Sequence, residues 1–275
     1  FVHDALGGDE KMLLGVLMLF SVGVAAGGLI NDKLLRGRIE AVYVPLAVLG
    51  ISVFSVDLYL ANPAPDGTLP LRIGFDIFMI AVCGGMFDVP LNAMLQERTT
   101  TEERSRVMAG NAAVNALFIV ASSIFAAILI GFGLSVRELF FVFAGLNALV
   151  AIYICKILPD YLFKSALQAL FKIIYRVEVR GFENFEKAGK RAVIVGNHVS
   201  FLDPPLLAAF LPGKPMFAIN SFVAEWWWVK PFLKLVDAFP LNPTSPFSLK
   251  SLIREVEKDR HAVIFPEGRL TETGA

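Results

Sequence analysis

Charge is scarce in this chain: Asp, Glu, Lys and Arg make up 18% of its 275 residues, against 56% for the hydrophobic types. Soluble domains carry about a quarter charged residues, so an ordinary soluble domain is excluded for the whole length, and the mean hydropathy of +0.63 agrees. Cysteine is nearly missing. The two present, Cys83 and Cys155, lie in apolar runs and in no metal or redox spacing, which excludes a disulfide framework and predicts two buried free thiols. Histidine is rare too, and neither His3 nor His261 has ligand-like company, so no metal is called for. The formal net charge is zero, leaving no basic excess to hold nucleic acid. The balance is uneven, however. Up to Asp160 there are 10 Lys and Arg against 14 Asp and Glu, a balance of −4; beyond it there are 15 against 11, or +4. A mildly basic second part suits an anionic phospholipid surface.

Long hydrophobic runs fill the first part. Stretches near Met12–Ile30, Ala41–Ala61, Leu71–Leu95, Val107–Phe132 and Val136–Leu158 are each long enough to span a hydrocarbon layer of about 30 Å. Five in succession favour membrane spans over buried soluble helices. Lys33, Arg36 and Arg38 follow the first span, Arg98, Arg104 and Arg106 the third, and Lys156 and Lys164 close the fifth. The positive-inside rule then puts those loops in the cytoplasm, and with them everything after the fifth span. Asp57 and Asp76 fall toward the outer ends of their spans. Asp88 and Asn92, toward the inner end of the third, are candidates for a substrate path, because polar groups in hydrocarbon need a reason. Gly23 and Gly27 have the spacing of close helix packing.

Pro159-Asp160 ends the membrane part. Tyr161 to Arg176 is amphipathic, with Leu162, Phe163, Ala166, Leu167, Leu170, Phe171 and Ile174 on one face and Lys164, Gln168, Lys172 and Arg176 on the other. It reads either as an interfacial helix lying on the membrane or as a helix packed on a core. From Val177 the pattern turns α/β. Strands are expected at Arg176–Val179, Ala192–Val195, Pro215–Ile219, Ala238–Leu241 and Ala262–Phe265, with helices between them, clearest at Pro246–Lys258 behind a Ser245 cap. Such alternation predicts a mainly parallel sheet flanked by helices. Trp226, Trp227 and Trp228 cannot share one helix face, so some should be exposed, either at the headgroup region or along an acyl-chain groove; plain packing is the other reading.

Two turns of this α/β part carry chemistry. After the strand Ala192–Val195 the chain turns at Gly196 and presents Asn197, His198 and Ser200. Asp203 follows as an expected N-cap, with Pro204-Pro205 opening a helix. A neutral imidazole takes a proton from an alcohol, and a carboxylate on its other nitrogen fixes the tautomer and stabilises the imidazolium. After the strand at Ala262–Phe265 comes a second turn with Glu267, Gly268 and Arg269. Gly268 admits close backbone approach, and Arg269 offers a planar fork for phosphate. Both turns fall at the carboxyl ends of strands, where open α/β sheets bind ligands.

Asn197-His198-x-Ser200-x-x-Asp203 and Phe265-Pro-Glu-Gly-Arg269 together resemble the two main motifs of the glycerolipid acyltransferases, which move a fatty acyl group from a thioester to a lysophospholipid or glycerol-phosphate hydroxyl. Tyr175-Arg-Val-Glu-Val-Arg-Gly181, Phe239-Pro-Leu-Asn-Pro-Thr244 and Arg269-Leu-Thr-Glu-Thr-Gly274 are similar to one branch, the bacterial 2-acylglycerophosphoethanolamine acyltransferases, usually fused to an acyl-ACP synthetase. The resemblance implies His198 as base and Asp203 as its partner. It gives Glu267, Gly268 and Arg269 the phosphate and glycerol site, and Asn197 and Ser200 the support of the loop. It implies acyl carrier protein as a partner, a phospholipid membrane, and no cofactor within this chain; ATP and magnesium enter only where a synthetase domain follows. Many members carry an Arg near Leu241-Asn242 that helps hold a phosphate monoester; its absence here points to a phosphodiester headgroup.

The first part resembles another family. Gly28-Leu-Ile-Asn-Asp-Lys-Leu-Leu-Arg-Gly-Arg38 is similar to a loop of the major facilitator superfamily, with one extra residue before Gly37; ordinary positive-inside loop chemistry is the alternative. Pro90-Leu-Asn-Ala-Met-Leu-Gln-Glu97 resembles its lysophospholipid transporters. The expected architecture is therefore a partial major facilitator helical bundle followed by a partial α/β acyltransferase domain. Residues 1–159 would be the last five helices of a transporter, 160–176 an interfacial helix, and 177–275 the beginning of the enzyme. The expected location is the bacterial inner membrane, with the enzyme on the cytoplasmic side. Thr271–Ala275 stop within the acyltransferase pattern, so the chain reads as an internal piece of a longer protein.

Overall fold

The computed structural model describes residues 6–62, 69–227, 229–233, 236–242 and 246–268. The chain divides into two compact units, Phe1–Leu162 and Phe163–Ala275.

The first unit is helical: α1 (Glu10–Leu35), α2 (Val44–Leu60), α3 (Leu71–Arg98), α4 (Arg104–Gly131) and α5 (Val136–Ile157). Each matches an expected apolar run. Asp9 caps α1 by accepting the Met12 amide, and Ser135 caps α5 in a reciprocal box with Glu138, the arrangement expected where a helix begins with unpartnered amides. Four of the five are long and apolar enough to cross a membrane. The exception is α2, whose 17 residues reach about 25 Å. It is shorter than the run Ala41–Ala61 because Ala41 to Tyr43 form the turn before Pro45. Cys83 is buried as expected, whereas Cys155 is only partly so.

α1 packs on α3, and α2 on both α3 and α5. The α1–α3 seam is built on glycine. A methyl group added to Gly23 would lie 2.6 Å from the Ala81 Cβ, and one added to Gly27 or Gly85 would run into the backbone carbonyl of Val82 or Val24. Backbone cannot move aside as a side chain can. Gly85→Val is therefore expected to cost about 3 kcal/mol and to lower the melting temperature of the detergent-solubilised protein; an unchanged melting temperature would mean the helices do not meet there. Asn147 ties α5 to α2, donating at 2.8 Å to the Val48 carbonyl and to Ser52 Oγ. At the far end of α2, Arg72 holds Asp57, and Arg137 donates to the Tyr59 and Ala61 carbonyls.

The second unit follows α6 (Pro159–Tyr175), in which the division between the units falls, and the short α7 (Phe182–Lys187). It contains β1 (Ala192–Val195), α8 (Asp203–Phe210), β2 (Met216–Asn220), α9 (Ser221–Ala224), α10 (Lys230–Leu233), β3 (Asp237–Leu241), α11 (Pro246–Val256) and β4 (His261–Ile264). All four strands are parallel, in the order β1-β4-β2-β3. Alternation along the strands sorts the core into two layers. Met216 and Ala262 face Leu252 and Val256 of α11, while Phe217 and Val263 face Leu207 and Ala208 of α8. Helices thus cover both faces, as the α/β pattern predicts.

One expectation fails here, and so does one of two alternatives. Arg176–Val179 is not a strand: the segment is largely exposed, Arg176 takes a φ of 50°, and its alternating charges leave little to bury. The amphipathic segment does form a helix, α6, with its polar row turned inward, which overturns the reading of a helix packed on a core by its apolar face. Lys164, Ser165, Gln168 and Phe171 are buried, while Leu170, Ile173 and Ile174 are exposed. The inward polar groups are tolerated because they meet backbone carbonyls of the domain. Ser245, the expected cap of α11, lies outside the described residues.

Candidate active site

The register of the sheet brings the two polar turns together. β4 lies between β1 and β2, and Ala192, Val193, Ile194 and Val195 pair with His261, Ala262, Val263 and Ile264. Both strands therefore end at the same level. The Gly196 amide extends the ladder by donating to the Ile264 carbonyl at 3.2 Å. From there the first turn leads to His198 and the second to Glu267. The His198 ring lies against Phe265, with centroids 4.4 Å apart and planes at 25°. Sequence reasoning assigned Phe265 to the motif and to the end of its strand; the parallel pairing of β4, which it follows, with β1 is what makes it the wall of the imidazole.

Asp203 organises the first turn. One carboxylate oxygen, Oδ2, accepts the amides of Val199 and Ser200 at 2.9 Å each and lies 3.1 Å from His198 Nδ1. Where the carboxylate accepts, Nδ1 carries the hydrogen. Both side chains are mostly buried, with 17% and 21% exposure, which strengthens the pair relative to an exposed one. Ser200 braces the loop from within: its Oγ accepts the Leu202 amide at 3.1 Å, and its carbonyl accepts the Asp203 amide at 3.1 Å. Asn197 is exposed beside Gly196.

Asp203 was expected to be the N-cap of the following helix. The cap position is Leu202 and Asp203 is the first helical residue. The reason is chemical. With Asp203 as the cap, the next two positions would be Pro204 and Pro205, which have no N–H to offer, and the Leu206 amide after them donates instead to the Leu202 carbonyl at 2.9 Å; the carboxylate turns back to the amides of Val199 and Ser200 and to His198. The two prolines thus free the carboxylate for the imidazole.

In the second turn Gly268 adopts φ 61° and its amide donates to the Phe265 carbonyl at 3.1 Å. This left-handed conformation favours glycine. Glu267 has one oxygen, Oε2, buried with no hydrogen-bond partner among the described residues. A buried carboxylate oxygen without a donor is costly, and it marks the place where a hydroxyl-bearing ligand would be welcome. Arg269 lies outside the described residues.

An imidazole held through Nδ1 by a carboxylate, on a turn at the same end of the sheet as an unsatisfied acceptor, suits proton abstraction from an alcohol. Residues 176–275 match the Acyltransferase family model. The match begins at Arg176, directly after the end of α6. No solved structure matches the chain. In the matched segment His261, the other described histidine, is used structurally: its Nε2 meets the Gly189 carbonyl at 2.7 Å and its ring packs on Phe185. Trp227 is 83% exposed, as the adjacent tryptophans required, and Trp226 packs beside Phe201; Trp228 lies outside the described residues. The strand end at Leu241 carries no Arg, and the Asn242 amide donates to Ser248 Oγ at 3.3 Å.

The candidates for a substrate path lie in the helical unit. Asp88 is exposed. Asn92 donates to the Asp88 carbonyl at 3.1 Å and accepts from Asn111 at 3.2 Å, so it joins α3 to α4. Asp76, ranked lower from the sequence, is the buried one at 1% exposure, because its face of α3 packs inside the bundle.

Proposed function

We propose that this chain transfers a fatty acyl group from acyl-ACP to the free glycerol hydroxyl of a lysophospholipid, 2-acyl-glycerophosphoethanolamine, regenerating phosphatidylethanolamine. The observation that carries the reading is the imidazole of His198 held through Nδ1 by Asp203 at the shared end of β1 and β4. With Nδ1 committed to the carboxylate, Nε2 takes the hydroxyl proton. The oxygen attacks the thioester carbonyl, an ester C–O bond forms, the C–S bond breaks, and the imidazolium returns its proton to the departing thiolate. Asp203 stabilises the imidazolium. Glu267, Gly268 and Arg269 shape the glycerol and phosphate site, and Asn197 and Ser200 support the loop.

The helical unit is read as the last five helices of a major-facilitator transporter that brings lysophospholipid across the bacterial inner membrane, with Asp88 and Asn92 on its path. The basic loops after α1 and α3 support a cytoplasmic position for the acyltransferase domain. The test supplies labelled acyl-ACP and lysophospholipid to membrane vesicles holding the full protein. Formation of labelled phosphatidylethanolamine is expected. Lipid movement without acylation would instead make the chain a lipid transporter whose appended domain only binds lipid.

The headgroup is a separate expectation. A phosphate monoester carries more charge than a diester and calls for another cation. With Leu241 and Asn242 where many relatives have an Arg, turnover on lysophosphatidylethanolamine should exceed that on lysophosphatidic acid by at least about tenfold, the worth of one missing charge-assisted contact. The reverse preference would overturn the assignment.

A further inference from the structure

Lys164 and Gln168 of α6 take no part in the reaction described, yet they are buried to 6% and 3% exposure. Hiding a lysine head group is costly unless its charge is met. Here Nζ donates to the carbonyls of Leu211 at 2.6 Å and Gly213 at 3.2 Å, and Gln168 Nε2 donates to the Ala209 carbonyl at 2.6 Å. These carbonyls belong to the C-terminal end of α8 and the loop that leaves it. A helix end leaves its last carbonyls without donors and carries partial negative charge. The ammonium and the amide supply the donors, and the ammonium also the countercharge. Ser165 and Ala209 are fully buried, and the Phe171 ring lies 6.5 Å from that of Phe210. One face of α6 therefore grips one end of α8.

The opposite end of α8 is Asp203. The helix has 8 residues, a rod of about 12 Å, and at that length its axial position and rotation decide where the Asp203 carboxylate stands. We propose that Lys164 and Gln168 are positioning residues for the reaction: by holding the C-terminal end of α8 they set the distance from Asp203 to His198. The inference rests on the general-base reading of His198. A clamp that only stabilised the fold would change the amount of folded protein and leave turnover per folded molecule untouched.

The test compares Lys164→Met, Lys164→Arg and Gln168→Met in the full protein in vesicles. It measures kcat and KM for the lysolipid per folded molecule, and the rate at which diethylpyrocarbonate modifies His198, mapped by mass spectrometry with His261 as the internal reference. Lys164→Met and Gln168→Met are expected to lower kcat about tenfold, since small misplacements of reacting groups cost this much or more, while KM stays near the wild-type value. Lys164→Arg restores most of the loss, and His198 reacts faster in the two Met variants while His261 does not. Unchanged kcat with unchanged His198 reactivity in folded variants overturns the proposal, as does a loss that Lys164→Arg fails to relieve. If Lys164→Met does not accumulate folded, Gln168→Met, neutral and similar in length, decides. Should His198→Ala retain acylation, the general-base reading falls, and the modification rates still report on the clamp.

Discussion

Replacing His198 with alanine is expected to lower acyl transfer by about 10³- to 10⁴-fold, the range over which positioned general bases act. A glycerol hydroxyl is a poor nucleophile until its proton is taken, and the Phe265 ring packed against the imidazole takes none. The loss should be chemical rather than structural. Alanine leaves Asp203 its two amide donors, Val199 and Ser200, and the ladder bond from Gly196 to Ile264, so the turn keeps its shape. The measurement is product formation from labelled acyl-ACP in vesicles, with a melting curve for the same preparation. A loss below about tenfold, far short of a base's contribution, would remove His198 from that role.

Asp203→Asn should cost about 10²- to 10⁴-fold in kcat while barely moving the melting temperature. Asn retains an oxygen for the Val199 and Ser200 amides, so the backbone of the turn stays paired. It lacks the charge that stabilises an imidazolium. If its amide faces the ring, it also forces the hydrogen onto Nε2, the nitrogen that must accept the substrate proton. Asp203→Ala differs in a way that can be measured. It leaves two amides without their acceptor; the exposed Val199 amide can turn to water, while the part-buried Ser200 amide adds a stability loss of about 1 kcal/mol. The pair of variants therefore separates the two duties of this carboxylate. Near-wild-type turnover in Asp203→Asn would show that the side chain serves the turn alone.

Much of this was legible in the sequence, for reasons that differ by element. The strand Ala192–Val195 was placed to the residue because a short apolar run between Arg191 and Gly196 leaves no other choice. The five long helices were visible because apolar length is a strong signal; their ends were not, since Glu10 and Arg98 lie beyond the hydrophobic stretches yet continue the helices. The motif residues His198 and Asp203 were found, but the role of Asp203 as a cap was misjudged: the rule for helix starts ignores that prolines have no N–H. The direction of α6 was hidden for a related reason. Hydrophobic periodicity assigns the apolar face inward, and only a tertiary partner, the end of α8, can invert that by offering carbonyls to Lys164 and Gln168. Phe265 as the wall of His198 depended on strand order, which single-sequence patterns do not encode.

That strand order also has a consequence for when the enzyme comes into being. Among the described strands β1 is joined to the sheet through β4 alone, and β4 is the last of the four to leave the ribosome. While residues up to about Val256 are emerging, β2 and β3 can pair with each other, but β1 has nothing to lie against and His198 has no Phe265 beside it. Pairing partners this far apart in sequence form late. A growing chain would thus carry both His198 and Asp203 before the turn is supported, its imidazole without a wall until β4 slots into the gap.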